Sequence, residues 1–505
     1  MAMQVNTPNV SMAIRATFFR IPALCHDWRR PAAARIVRTG RLLLAVGGSL
    51  SGLVGCADLG GKLPLPSGIP DQQALKTVAG ALGAYNAVIA TFGYTTLGRG
   101  ALVTSLADGG LLSDELTVNS QGGSAPDYLN TGCNGCAPVA NYAVDARVLP
   151  GDGVSSASYM LLQTVRARAT QGIGMLAAYD STEPALRGHL YALAGYAELL
   201  LADLFCSGVP LSTFDYNQDF TYRAGSSTNE VYADAKAQFQ RALPLLADSV
   251  AWLNLARVGL GRAFLNLGQY DSAATAVAAV PSNYVYQTSV NWYEGGDQSW
   301  LTTDVKNYFS SFSGIGATVA DREGGMGQPY ISSQDPRTAV VQSGVNLFGR
   351  PIYFPAKYGN GLGITPVIVA SGLEARLIRA EATLHPSGES ALTGDPSAML
   401  AILNAIRADS MLPAIDPSTV STPTAAVDTL FTERAAWLFL DGHRLGDLRR
   451  LLRRYFRHVT AVFPTGLYPV PVPNITNYGP DVEFPIPATE GQINPYFTGC
   501  LSRGI

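Results

Sequence analysis

The chain has 505 residues and a net charge of −3, and only 14 % of its residues are charged, against about 25 % in an average soluble domain. Seven Arg and one acidic residue, Asp27, give residues 1–55 a net of +6, which leaves −9 for the rest, where the only Lys are Lys62, Lys76, Lys236, Lys306 and Lys357. That balance excludes a nucleic-acid binder, which needs clustered cations for phosphate, and a polybasic clamp on anionic lipid, and it suits a surface of Ser, Thr, Asn, Gln and Tyr meeting neutral polar ligands.

The apolar stretch Leu42 to Val54, 13 residues long, follows Arg35, Arg38 and Arg41 and runs into Leu53-Val54-Gly55-Cys56. A basic flank, a short apolar run and a small residue are the layout of a secretory signal. The run is too short to cross a bilayer core of about 30 Å as a helix. Leu53 to Cys56 resembles the lipobox of bacterial lipoproteins, which implies cleavage before Cys56 and a lipid on its sulfur. About forty residues precede the apolar run, more than a whole signal requires, and Met12 offers a later start. Residues 1–55 are therefore read as leader and signal peptide. Residues 56–70, rich in Gly and Pro, are read as a tether, and 71–505 as one domain.

Helices follow in order. Asp71 caps a helix to about Ala90 with Leu75, Val78, Leu82, Tyr85 and Ile89 on one face. A second covers Leu97 to Asp108 and is closed by Leu111 to Glu115. Residues 117–153 form a long Asn/Gly/Pro-rich loop, a length that more often serves binding than structure. Helices return at Ser156–Ala178 and Ala185–Phe205, the second apolar almost all round and hence a core helix. Glu230–Ala247 and Leu253–Leu267 come next, then a turn at Gly268-Gln269-Tyr270 and a helix at Ala274–Val280, ended by Pro281. Helix, Gly-x-Tyr turn, Ala-rich helix and Pro resemble a tetratricopeptide hairpin. Residues 71–281 are read as a helical scaffold.

Between 282 and 366 helical periodicity stops and aromatics stand among polar residues. A sugar ring can stack its apolar face on Trp or Tyr while Asn, Asp and Gln meet its hydroxyls. Trp292, Tyr293, Asp297 and Trp300 offer both within nine residues, and Tyr128 and Asn130 of the earlier loop join them as candidates. Large aromatics also fill ordinary cores, so the region carries this reading better than any one residue. Residues 350–358 read as extended. Helices at Ile368–Leu384, Pro396–Ser410, Ala425–Leu440 and Leu445–Phe456 precede a Pro-rich tail from Phe463.

Beyond Cys25 and Cys56, four cysteines remain: Cys133, Cys136, Cys206 and Cys500. In an oxidising compartment they allow two disulfides in three connectivities. Cys133 and Cys136 are read as a local loop disulfide, since the C-x-x-C lacks the helix start of a redox motif and the further ligands of a zinc site.

Several segments together resemble the RagB/SusD family of outer-membrane nutrient-binding lipoproteins. Glu433-Arg434 through Asp441-Gly442-His443-Arg444 and Asp447-Leu448-Arg449-Arg450 resembles its C-terminal signature. Ile368 to Ala382 and Asn404-Ala405-Ile406-Arg407 are similar to the segments before it. Leu204-Phe205-Cys206-Ser207-Gly208-Val209-Pro210-Leu211 resembles a family turn, with Cys206 a departure. Phe484-Pro485-Ile486-Pro487, Glu490 and Asn494-Pro495 resemble its closing motif. The resemblance implies a mostly α fold, tetratricopeptide-like hairpins packed against a loop-rich irregular half, with residues 282–366 holding ligand and 367–505 supplying the C-terminal helices and tail. It also implies a protein on the outer membrane, lipid-anchored and facing the exterior. The partner it implies is a SusC-type TonB-dependent transporter, to which such a protein is expected to deliver a glycan or other nutrient, with no catalysis and no cofactor.

Two other readings compete. A periplasmic helical-repeat scaffold lipoprotein that binds proteins would use the hairpin at 253–281. A glycan hydrolase would use Glu294 and Asp297. The cluster Glu433, Arg434, His443, Arg444, Asp447 and Arg449 could suggest a metal or acid–base site. Its positions suit ion pairing and helix capping instead, with Asp447 reaching Arg444 or Arg450 on a helix face. No metal site and no catalytic motif is expected.

Overall fold

Ser227 and Glu230 set the pattern of local signals that build this fold. Each side chain bonds the other's backbone N–H, a full capping box at the start of α5. The computed structural model describes residues 76–97, 105–118, 143–149, 156–217, 219–288, 317–345, 350–358, 366–385, 396–472 and 474–503.

The first half is helical: α1 (Val78–Leu97), α2 (Ser105–Leu112), α3 (Ser156–Tyr179), α4 (Pro184–Leu204), α5 (Thr228–Ala242), α6 (Val250–Asn266) and α7 (Tyr270–Val277). Helix α1 packs on α3, α3 on α4, α4 on α5, α5 on α6 and α6 on α7, a row of neighbouring helices like a stack of hairpins. Helix α4 is buried on nearly every side from Gly188 onward, as its apolar composition predicts. The turn after α6 is a Schellman motif. Gly268 takes a left-handed φ of +73°, its N–H donates to Leu265 O at 2.9 Å, and Gln269 N–H donates to Phe264 O at 2.8 Å.

Phe239 of α5 is fully buried and wedges between Gly195 of α4 and Gly259 of α6. A Cβ on Gly259 would come within 2.3 Å of the Phe239 ring, and one on Gly195 within 2.7 Å. Gly259→Ala is therefore expected to cost about 1–3 kcal/mol by overpacking, read from urea denaturation. Adding Phe239→Leu should return part of that loss; a double variant whose losses simply add would refute the wedge.

Small antiparallel pairs make up the irregular part: β1 (Leu116–Val118) with β7 (Ala317–Val319), β6 (Val285–Thr288) with β10 (Val367–Ser371), and β8 (Val340–Val345) with β9 (Pro351–Pro355). Two further pairs, β2 (Val209–Pro210) with β5 (Gly225–Ser226) and β3 (Thr213–Phe214) with β4 (Phe220–Thr221), form nested hairpins after α4. The C-terminal part holds α8 (Gly372–Ala382), α9 (Pro396–Asp409), α10 (Pro423–Trp437), α11 (Arg444–Tyr455), α12 (Val459–Val462), the pair β11 (Leu467–Val472) with β12 (Ile475–Asn477), and α13 (Thr489–Ile493). One apolar core runs from Ala81 to Ile486. Among the described residues no helix is long and apolar enough to cross a membrane.

Two expectations change. The helix expected from Ile368 starts at Gly372, because the β-branched run Val367-Ile368-Val369 pairs with β6. Ser371 then caps the helix, accepting from Glu374 N–H at 3.0 Å. The first helix runs on to Leu97, and the second spans Ser105–Leu112 rather than Leu97–Asp108. Gly109 and Gly110 do not break it, since their missing side chains admit Leu204 and Leu116. Cys206 bonds Cys500, 294 residues away, which is the member of the three connectivities that leaves Cys133 and Cys136 to each other. Cys56, Cys133 and Cys136 lie outside the described residues.

Candidate ligand-binding site

Tyr128 and Asn130 stand in residues 119–142, and Trp292, Tyr293, Asp297 and Trp300 in residues 289–316. All six lie outside the described residues. Where those segments are rooted is described. Val118, the last residue before the first segment, is the register partner of Ala317, the first residue after the second. Thr288, the last residue before the second segment, pairs with Val367, and its Oγ1 lies 3.1 Å from Thr96 Oγ1 on α1. The two segments singled out for ligand thus share one ladder at their roots.

A buried carboxylate holds that ladder. Asp145 Oδ2 accepts from Val118 N–H at 2.8 Å, Thr117 Oγ1–H at 3.1 Å and Tyr468 O–H at 2.5 Å. Glu323 lies beside it and accepts from Tyr478 O–H at 2.5 Å. Burial pushes both acids up, and the like charge of Asp145 raises Glu323 further. Two tyrosines from the tail thereby fasten the root of the first segment to residues 321–330.

The Arg-rich signature reaches the same ladder from the other side. Arg444 Nε and Nη2 grip Asp114 at 2.5 and 2.7 Å, two residues before β1, and Nη2 also donates to Met326 O at 3.0 Å. Glu115 Oε1 accepts from Leu440 N–H at 2.6 Å. Arg434 binds Asp447 through two bonds of 2.7 and 2.8 Å, and Arg450 bridges Asp447 at 2.9 Å to Glu381 at 2.7 and 2.9 Å. Arg262 binds Glu374 at 2.7 and 2.9 Å, and His443 lies 3.3 Å from Glu374. Arg449 binds Glu483 and the carbonyls of Ala202 and Asp203 at the end of α4. Glu433 takes Arg337 at 2.7 Å and Arg407 at 2.6 Å.

The expected ion pairing holds, with one change of kind: Asp447 meets Arg450 but not Arg444, and the network is buried between helices rather than spread on a helix face. Among the described residues no group of three or more His, Cys, Asp or Glu could hold a metal ion.

Asp114, Asp145, Glu323, Tyr468 and Tyr478 were not singled out by their sequence context. Only the strand-like Leu116-Thr117-Val118 beside the acidic pair Asp114-Glu115 hints at them.

The buried acids fix a pH response. Burial raises Asp108 to about 7 and Glu115 to about 8, with Asp114 adding to Glu115; Glu198 on α4 is likewise raised to about 8, by burial first. In the unfolded chain these acids release their protons near pH 4 to 4.5. Between that range and about 8 the folded chain holds more protons than the unfolded one, so stability falls as pH rises. Arg262 beside Glu374 holds its carboxyl down near 2 against burial, so that stabilisation is complete above the ordinary carboxylate range and is lost only in acid. The urea midpoint should therefore fall from about pH 5 to about pH 8, and Glu115→Gln should flatten the slope. A midpoint that rises over that window would contradict the assignment.

No protein-family model and no curated protein matches the chain. Solved structures do. A SusD superfamily protein from Bacteroides thetaiotaomicron VPI-5482 is 14 % identical with a TM-score of 0.59, over 84 % of this chain and 100 % of that one. A SusD-like carbohydrate binding protein from Bacteroides vulgatus ATCC 8482 is 16 % identical with a TM-score of 0.57, over 83 % and 97 %. A laminarin-binding SusD-like protein is 16 % identical with a TM-score of 0.53, over 84 % and 99 %. The chain has the mostly helical SusD-like fold.

Proposed function

We propose that this chain is a non-catalytic lipoprotein of the outer-membrane surface that binds a glycan and passes it to a TonB-dependent transporter of the SusC type. The observation that carries the reading is the SusD-like fold along nearly the full length of structures described as carbohydrate binding or laminarin binding. The lipobox-like Leu53 to Cys56 supports the anchor. The shared root of residues 119–142 and 289–316 supports a ligand surface built from Tyr128, Asn130, Trp292, Tyr293, Asp297 and Trp300. The loop-rich half argues against a bare helical-repeat scaffold, which would need only α3 to α7.

Two measurements test the proposal. The lipidated chain, purified from detergent-solubilised outer membrane, should bring down a large β-barrel with a plug domain in near-equal amount. On a glycan panel it should bind without cleaving, and Trp292→Ala with Trp300→Ala should abolish binding. A pulldown holding only soluble periplasmic proteins would favour the scaffold. Cleavage lost in Glu294→Gln would favour a hydrolase.

A further inference from the structure

A cleft of about 360 Å³ opens on the helical half, between α3, α4, α5 and the nested hairpins β2 to β5. That volume is at the lower end of small-molecule sites. Its floor holds Glu198, which is fully buried. Glu198 Oε1 accepts from Arg166 Nε at 2.8 Å and Gln238 Nε2 at 3.3 Å, while Oε2 has no hydrogen-bond partner. A buried oxygen left without a partner costs free energy, and Glu198 is among the residues that line the cleft, beside Asp234.

The rim has the opposite character. Arg223 and Arg241 line the cleft and are exposed. Arg241 Nη1 donates to Gln238 Oε1 at 3.3 Å, and neither guanidinium has a carboxylate partner among the described residues. Three guanidiniums thus face two carboxyls, and burial, with like charge from Asp234 working against the pull of Arg166, raises Glu198 to about 8. The cleft is net positive. Tyr191 supplies a partly buried ring in one wall.

We propose that this cleft is a second ligand site, separate from residues 119–142 and 289–316, and that it takes a sugar acid of about one ring. The carboxylate bridges Arg223 and Arg241, whose planar forks match it. A ring hydroxyl completes the bonding of Glu198 Oε2, and the C–H face of the ring lies on Tyr191. The ladder of β1 and β7 takes no part.

Calorimetry on the full-length chain with glucuronate as probe, and glucose as its uncharged counterpart, tests this. Glucuronate should bind saturably and glucose should not compete. Arg223→Ser with Arg241→Ser should weaken binding at least about tenfold; both side chains are exposed, and an unchanged thermal melt would show the variant folded. Glu198→Gln should retain binding, because its amide keeps a donor at that position. Trp292→Ala with Trp300→Ala should leave glucuronate binding intact, which separates this site from the glycan surface proposed above. No saturable binding below about 10 mM, equal binding of glucose, or indifference to the double arginine change would each overturn the proposal.

Discussion

Asp447→Ala is expected to lose about 3–5 kcal/mol of stability, because it strands the buried guanidinium of Arg434 and takes one of two charge partners from Arg450. Arg434 and Arg450 are each about 2 % exposed and both bind Asp447. Their charge draws the Asp447 carboxyl well below the usual carboxylate range despite burial. Without it Arg434 keeps only Glu381 at 3.9 Å. Asp409→Ala is the control: that side chain is 65 % exposed in its pair with Arg376, and an exposed pair is worth at most about 1 kcal/mol. Urea denaturation measures both. An Asp447→Ala loss no larger than the Asp409→Ala loss would show that the network is ornamental. Apolar rescue is predicted to fail unless Glu381 is replaced too, since Arg450 satisfies both of its oxygens.

Cys500→Ser should cost about 2–5 kcal/mol. The bond to Cys206 closes a span of 294 residues, and in the chain-entropy account long loops gain most, with strain and residual structure reducing the realised part. It fastens the tail where α4 ends. Cys206 N–H donates to Phe484 O at 2.9 Å and Leu501 N–H to Ser207 O at 2.7 Å. Equal urea midpoints with and without reductant would show that these backbone bonds hold the tail alone. The double change Cys206→Ser with Cys500→Ser should cost no more than the single one, because both remove the same covalent link.

Much of the helical architecture was legible, and the reason is local. Gly268 marks a stop, and the apolar girdle of Leu190 to Leu204 marks a core helix, whereas the Ser227 cap, two residues before the expected start of its helix, went unread. The resemblance through Glu433 to Arg450 pointed to the right fold because those residues stand close together in the chain. Their partners do not. Arg444 finds Asp114 and Asp145 finds Tyr468 across more than 320 residues, and no periodicity or spacing carries such a pairing. The strand Val367–Ser371 was missed for a different reason. Its apolar run abuts a true helix, and only the cap Ser371 with Glu374 marks the boundary. With Cys133 expected to pair with Cys136, Cys206 and Cys500 are the two cysteines left over, and they are bonded across 294 residues.

The three-residue ladder of β1 and β7 bears on how freely the segments beside it can vary. Residues 119–142 and 289–316 both end on it, at Val118 and Ala317. Once a loop's ends are pinned, doubling its length costs only about 0.6 kcal/mol of closure entropy. Insertions, deletions and wholesale replacement in these two segments are therefore cheap so long as Leu116–Val118, Ala317–Val319 and Asp145 stay in place. Under the proposed function, exchange of these two segments on a fixed socket would change the ligand while the buried charges behind it stay unaltered.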